Sequence, residues 1–224
     1  MPNTQFKNTP EFKEKIYKIY TTVMSLINNR YGIDTESYEI DYRKFDSNIN
    51  DFVSNLNTTK PPPDGVFDTI INNNEHNDSS TLVKYIKSKI TDSNIKKIIA
   101  NLRKKFSFDD LVLIFFDEKS DDIKKLNRLA IEKKYSSHNV RIFMYDELLF
   151  DITQHILVPK HCKYTDDTSE LIKKLMIDNE SKLPFILYND PISRFYGLKE
   201  NDIVEIERNE LSQNNKSFRV CKYN

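Results

Sequence analysis

Apolar residues near the start of the chain recur at helical steps. Phe12, Ile16, Ile19, Val23 and Ile27 fall on one face of a helix. Thr9-Pro10-Glu11 predicts its start: Thr9 caps, Pro10 suits the first helical position, and Glu11 complements the dipole. Gly32 predicts its stop. A second helix is predicted after Asp34-Thr35, with Tyr38, Tyr42, Phe45, Ile49, Val53 and Leu56 on one side. The stretch from Asn57 to Gly65, with Pro61-Pro62-Pro63 followed by Asp64-Gly65, breaks the pattern and reads as a stiff connection inside the first domain.

Strands and helices then alternate. Val66–Ile71 and Thr81–Ile86 read as strands around a polar loop, Asn72–Ser80. Ile95, Ile98, Ile99, Leu102 and Phe106 make a helix face. The solid apolar run Leu111–Phe116 suits a buried strand. Ile123, Leu126, Leu129 and Ala130 return to helical spacing, and Val140–Tyr145 is a further strand. This order predicts a mixed or parallel sheet with covering helices.

Past Phe150 the texture changes. His155-Ile156-Leu157-Val158-Pro159-Lys160-His161 reads as a short apolar core flanked by histidines. Thr165 is placed to cap a helix carrying Leu171, Ile172, Leu175 and Met176. Phe185–Leu187, Ile203–Ile206 and Phe218–Tyr223 read as short strands. The pattern therefore divides into an N-terminal α/β domain, residues 1–150, and a smaller α+β domain, residues 151–224.

Composition narrows the chemistry. The 34 Lys and Arg balance 34 Asp and Glu, so no global field draws the chain to nucleic acid. Any DNA contact must be local or supplied by a partner, and binding of the isolated chain to duplex DNA is expected to be weak and salt-sensitive. The two cysteines, Cys162 and Cys221, are too few for a disulfide framework and lack zinc spacing. No cofactor, metal or small-molecule ligand is expected. No apolar run approaches the roughly 20 residues of a membrane span, and the N-terminus lacks a signal-peptide core, so a soluble, intracellular chain without membrane contact is expected.

The last third carries three motifs in order. His155–His161 resembles the segment that opens the C-terminal domain of the fifth subunit shared by eukaryotic nuclear RNA polymerases, and that opens its shorter archaeal counterpart. Asp190-Pro191-Ile192-Ser193-Arg194-Phe195-Tyr196-Gly197 is similar to that family's Asp-Pro-Val-Ala-Arg-Tyr-x-Gly run. Asp202–Arg208 resembles the strand that follows. The helices and alternating strands of residues 1–150 resemble the jaw domain of the eukaryotic protein, a nuclease-like fold without an active site, which the archaeal counterpart lacks.

The resemblance implies a non-catalytic polymerase subunit. It would dock on the largest subunit, beside neighbouring small subunits, and form part of the lower jaw near downstream duplex DNA. The expected partner-binding residues are His155, Pro159, His161, Asp190, Pro191, Arg194, Gly197 and Arg208. Since all three motifs lie within it, residues 151–224 are expected to suffice for assembly. Asp190 is placed to cap a short helix at Ile192–Tyr196, while Arg194 is a fork donor suited to a carboxylate or carbonyl; the pair reads either as partner contacts or as groups that only hold their own turn. The histidines read either as partner contacts or as groups satisfied by local hydrogen bonds beside Pro159.

Two segments depart from the family pattern. The DNA-facing jaw loop, which includes Lys119 and Ser120, here reads Asp117-Glu118-Lys119-Ser120-Asp121-Asp122. That acidity repels phosphate, so DNA contact there is expected to be weak or indirect. In the final hairpin Arg208 persists while the family's Pro, Gly and second Arg do not. Two rival readings remain: a free-standing transcription-associated interaction module, and a magnesium-dependent nuclease using Asp64 with Asp117, Glu118 and Lys119. The AT-type residue bias and the altered jaw loop favour a version from a large DNA virus, active in a cytoplasmic factory or the virion. A cellular version would be nuclear.

Overall fold

The computed structural model describes residues 9–31, 48–52, 69–73, 79–87, 90–116, 122–210 and 213–223. The chain forms two compact units. The first contains Met1–Met24 and Ile33–Phe150, and the second contains Ser25–Gly32 and Asp151–Asn224.

Helix α1 spans Pro10–Tyr31, so its last turns group with the C-terminal unit. It starts as its sequence requires, with the Phe12 amide donating to Thr9 Oγ1 at 3.2 Å. Ile16, Ile19, Val23 and Ile27 are buried as the spacing predicts, together with Met24 and Leu26. Of the predicted second helix only residues 48–52, here α2, lie among the described residues; Ile49 and Phe52 are buried.

The first unit carries a four-stranded sheet in the order β1-β2-β3-β4: β1 (Thr69–Asn73), β2 (Ser79–Ile86), β3 (Asp110–Phe115) and β4 (Val140–Met144). β1 runs antiparallel to β2, and β2, β3 and β4 are mutually parallel. The expected polar loop Asn72–Ser80 is corrected. Asn72 pairs with Ser80 and Asn73 with Ser79, because ladder bonds are made by backbone and tolerate polar side chains. Tyr145 also leaves the predicted strand and begins a 3-10 turn, Tyr145–Leu148.

The parallel strands are connected through α3 (Asp92–Arg103) and α4 (Asp122–Lys134). Thr91 caps α3 by accepting from the Asn94 amide. Phe106 lies beyond the helix end, yet still packs on the core formed by Leu82, Ile95, Leu102, Leu111, Leu113, Phe115 and Ile142. Val112, Ile114 and Phe116 are buried too, so β3 is covered on both faces. Phe116 stacks on Tyr145, with 5.3 Å between ring centroids, and meets Phe52 edge-on.

Sequence spacing gave no sign of a buried ionic cluster at β4. Glu132, fully buried on α4, accepts from the Ile142 amide at 2.7 Å and lies 3.6 Å from the Arg141 guanidinium. Among the described strands β4 is an edge, and Glu132 occupies one of its outward N–H groups. Arg128 donates to Glu147 at 2.6 Å, and the same carboxylate accepts from the Met144 amide.

The second unit has a sheet ordered β5-β7-β8-β6: β5 (Lys160–Lys163), β6 (Phe185–Leu187), β7 (Ile203–Glu210) and β8 (Gln213–Lys222). β7 pairs antiparallel with both β5 and β8, while β6 runs parallel to β8. Leu171, Leu183, Ile203 and Val220 form its core. Helix α5 (Thr168–Leu175) is capped by Asp167 rather than Thr165, because the Asp167 carboxylate reaches the Ser169 amide at 2.8 Å. Met176 is not on the predicted apolar face. It closes the helix with φ 54 and is exposed, because the last turn unwinds into the left-handed conformation there. Helix α6 is Pro191–Phe195. Among the described residues, no helix is long and apolar enough to cross a membrane.

Candidate partner-docking site

Backbone bonds shape the first motif before any partner is involved. After the 3-10 turn Ile152–Gln154, His155 Nδ1 accepts from the Leu157 amide at 3.2 Å. The Val158 amide donates to the His155 carbonyl at 2.8 Å. This tight turn leaves Ile156 94% exposed and Leu157 82% exposed. The expected apolar core is therefore corrected. With its backbone committed to the turn, the segment aims its two largest aliphatic side chains at solvent. Pro159 is half-buried and leads into β5.

His155 and His161 differ. His155 is exposed, whereas His161 is buried and its Nδ1 lies 2.7 Å from the Pro159 carbonyl. A carbonyl only accepts, so that nitrogen carries the proton. Burial depresses the His161 pKa, with the Pro159 carbonyl and the Asp190 charge opposing. The Tyr196 ring lies 6.2 Å away, and burial pushes its hydroxyl pKa up to about 12.

The second motif folds as the sequence predicts at its start. Asp190 Oδ1 accepts from the Ile192 amide at 2.8 Å, and Pro191 occupies the first turn of α6. Arg194 is buried. It shares that burial with Ile192, Ser193 and Phe195 of α6. A different arginine makes the clamp. Arg30 Nε donates to the Phe195 carbonyl at 2.7 Å and Arg30 Nη2 to the Arg194 carbonyl at 2.6 Å. Gly197 follows with φ +64, a left-handed turn that closes the helix.

Arg208 is exposed on β7, opposite Asn215 on β8. Beside it runs a ladder of ion pairs between exposed lysines and half-buried glutamates. Lys216 reaches Glu205 at 2.6 Å and Glu207 at 3.3 Å, and Lys160 reaches Glu207 at 3.4 Å. Such a balanced surface offers no excess of positive charge to phosphate. The structure thus gathers His155, Pro159, His161, Asp190, Pro191, Arg194, Gly197 and Arg208 in one unit, with His161 and Tyr196 joining the first two motifs. Lys119 and Ser120, with Asp117 and Glu118, lie outside the described residues, as does Asp64. No group of His, Cys, Asp and Glu among the described residues is arranged to hold a metal ion.

Residues 150–221 match the family model described as RNA polymerase Rpb5, C-terminal domain. That match covers most of the C-terminal unit. Similarity also extends beyond it. The chain is 27% identical over 209 residues to "DNA-directed RNA polymerases I, II, and III subunit rpabc1" of Dictyostelium discoideum, covering 92% of this chain and 97% of that one. It is 27% identical over 184 residues to "DNA-directed RNA polymerase V subunit 5A" of Arabidopsis thaliana, covering 81% of this chain and 79% of the relative. A shorter match, 35% identical over 85 residues, joins it to "DNA-directed RNA polymerases IV and V subunit 5B" of the same plant, with 37% and 38% covered. The resemblance to the fifth common subunit of eukaryotic-type RNA polymerases therefore holds, and the mixed-sheet first unit with its α+β second unit agrees with it.

Proposed function

We propose that this chain is a non-catalytic structural subunit of a multisubunit DNA-dependent RNA polymerase. It docks on the largest subunit through residues 151–224, and residues 1–150 form part of the lower jaw near downstream DNA. The observation that supports docking most directly is the tip of the first motif. Within a domain matching the Rpb5 C-terminal family, Ile156 and Leu157 stand in solvent on a turn pinned by His155. Apolar side chains held outward on an ordered turn gain about 1.5–3 kcal/mol each when a partner covers them. His155, Pro159 and Arg208 line accessible positions for the same partner, whereas His161, Asp190, Arg194 and Gly197 hold the framework.

The balanced formal charge of +0 supports DNA contact that is weak or relayed through neighbouring subunits. A cellular polymerase would place the chain in the nucleus, and a viral one in a cytoplasmic factory or the virion. The test is a native pull-down of the tagged full-length chain. Recovery of a largest polymerase subunit in equal stoichiometry is the expected result, and the double change Ile156→Ser, Leu157→Ser should abolish it while circular dichroism is unchanged. Recovery of the chain only outside polymerase would overturn the reading in favour of a free-standing module.

A further inference from the structure

Three residues in the last turns of α1 belong to the C-terminal unit through side-chain bonds. Ser25 Oγ donates to Asp151 Oδ2 at 2.5 Å. The Tyr196 hydroxyl donates to Asn29 Oδ1 at 3.3 Å. Arg30 donates to the carbonyls of both Arg194 and Phe195. Helix α6 is only five residues long, and the backbone amides of Tyr196, Leu198 and Gly197 already donate to its Ile192, Ser193 and Arg194 carbonyls, so Arg30 adds a second kind of donor at Arg194 and bonds the Phe195 carbonyl in the last turn. A guanidinium there supplies two charge-assisted bonds and opposes the negative end of the helix dipole.

Gly197 is fitted to the same cation. A Cβ on it would sit 3.1 Å from Arg30 Cζ and Nε and 3.2 Å from Nη1. The glycine of the Asp190–Gly197 motif thus answers two demands, a positive φ and room for a side chain contributed from 167 positions away, the difference between 197 and 30.

We infer that Arg30 is a positioning residue for docking: it fixes the Asp190–Lys199 turn in the shape offered to the partner. The inference rests on the polymerase-subunit reading above and adds to it a determinant lying outside residues 151–224. Ser25–Gly32 complete the docking unit, and Arg30 acts through the α6 carbonyls rather than by touching the partner.

The test uses the full-length chain carrying Arg30→Met or Arg30→Lys, with the largest polymerase subunit immobilised as the probe. Binding is measured at a temperature where each variant is folded by circular dichroism. Arg30→Met should weaken binding at least tenfold, and Arg30→Lys, which can still reach one carbonyl, should recover part of the loss. Amide exchange at Gly197 and Leu198 should accelerate in Arg30→Met. A destabilised control, Leu171→Ala in the core of the same unit, should bind within twofold of wild type under the same conditions. Equal affinity of wild type and Arg30→Met overturns the role of Arg30 alone. An equally large loss in Leu171→Ala shows general destabilisation and overturns it too. Failure of the wild-type chain to bind overturns the docking reading itself.

Discussion

The cost of Gly197→Ala can be worked from two separable effects. Gly197 sits at φ +64, where an L side chain costs about 1–2 kcal/mol relative to glycine. The new Cβ would also press on the Arg30 guanidinium at 3.1 Å, closer than ordinary van der Waals contact. Arg30 cannot swing aside freely, since two bonds of 2.6 and 2.7 Å hold it. Hydrogen bonds from a charged donor contribute about 1.5–3 kcal/mol each, and lengthening both by a few tenths of an ångström forfeits about 1 kcal/mol of that. The expected total is about 2–3 kcal/mol. A double-mutant cycle separates the parts. In an Arg30→Met background only the backbone cost remains, about 1–2 kcal/mol, leaving a coupling of about 1 kcal/mol. Urea denaturation of the full chain supplies the free energies, with amide exchange in peptides covering Asp190–Lys199 locating the loss. A coupling below about 0.3 kcal/mol refutes the steric argument. A single-mutant cost below about 0.5 kcal/mol refutes the backbone argument as well.

Other outcomes follow from the same structure. Asp190→Ala removes the cap of α6 and should lower stability by about 1 kcal/mol in denaturant titration, with Asp190→Asn retaining most of it. Glu132→Ala leaves Arg141 buried without its carboxylate and uncovers an edge amide, so a loss of about 3–5 kcal/mol is expected in thermal unfolding, against little effect from the exposed pair partner in Lys134→Ala. His161 titrates below its ordinary 6.5 when folded, so the unfolded chain binds the extra proton first as pH falls. Its contribution to stability is therefore full above pH 6.5 and lost as pH drops below it, and His161→Asn should flatten the stability profile on that acid side. The isolated chain should bind duplex DNA only weakly and lose that binding with added salt; nanomolar affinity at physiological salt would contradict the charge argument.

Periodicity exposed the helices with long apolar faces, α1 and α3, and the solid apolar strand β3, because burial there dictates residue type directly. It missed the reach of β1 and β2 into Asn and Ser positions, since a hairpin ladder is indifferent to side-chain polarity. It also read His155–His161 as core, because four apolar residues in a row look alike whether covered by their own chain or left for another. The capping role of Asp190 was legible from two adjacent residues. The clamp by Arg30 was not, as no local pattern ties a helix end to a turn so distant in sequence. In hindsight the motif glycine was the available signal, since glycine at a turn marks either a positive φ or a close neighbour, and Gly197 has both.

The outward turn at Ile156 and Leu157 also bears on how much of this protein a cell can carry. A copy without a partner displays two bare aliphatic side chains on an ordered support, a ready target for chaperones and for self-association. Supply in excess of the partner should therefore be short-lived, so that abundance follows the partner's own synthesis and stoichiometry is enforced by turnover rather than by matched expression.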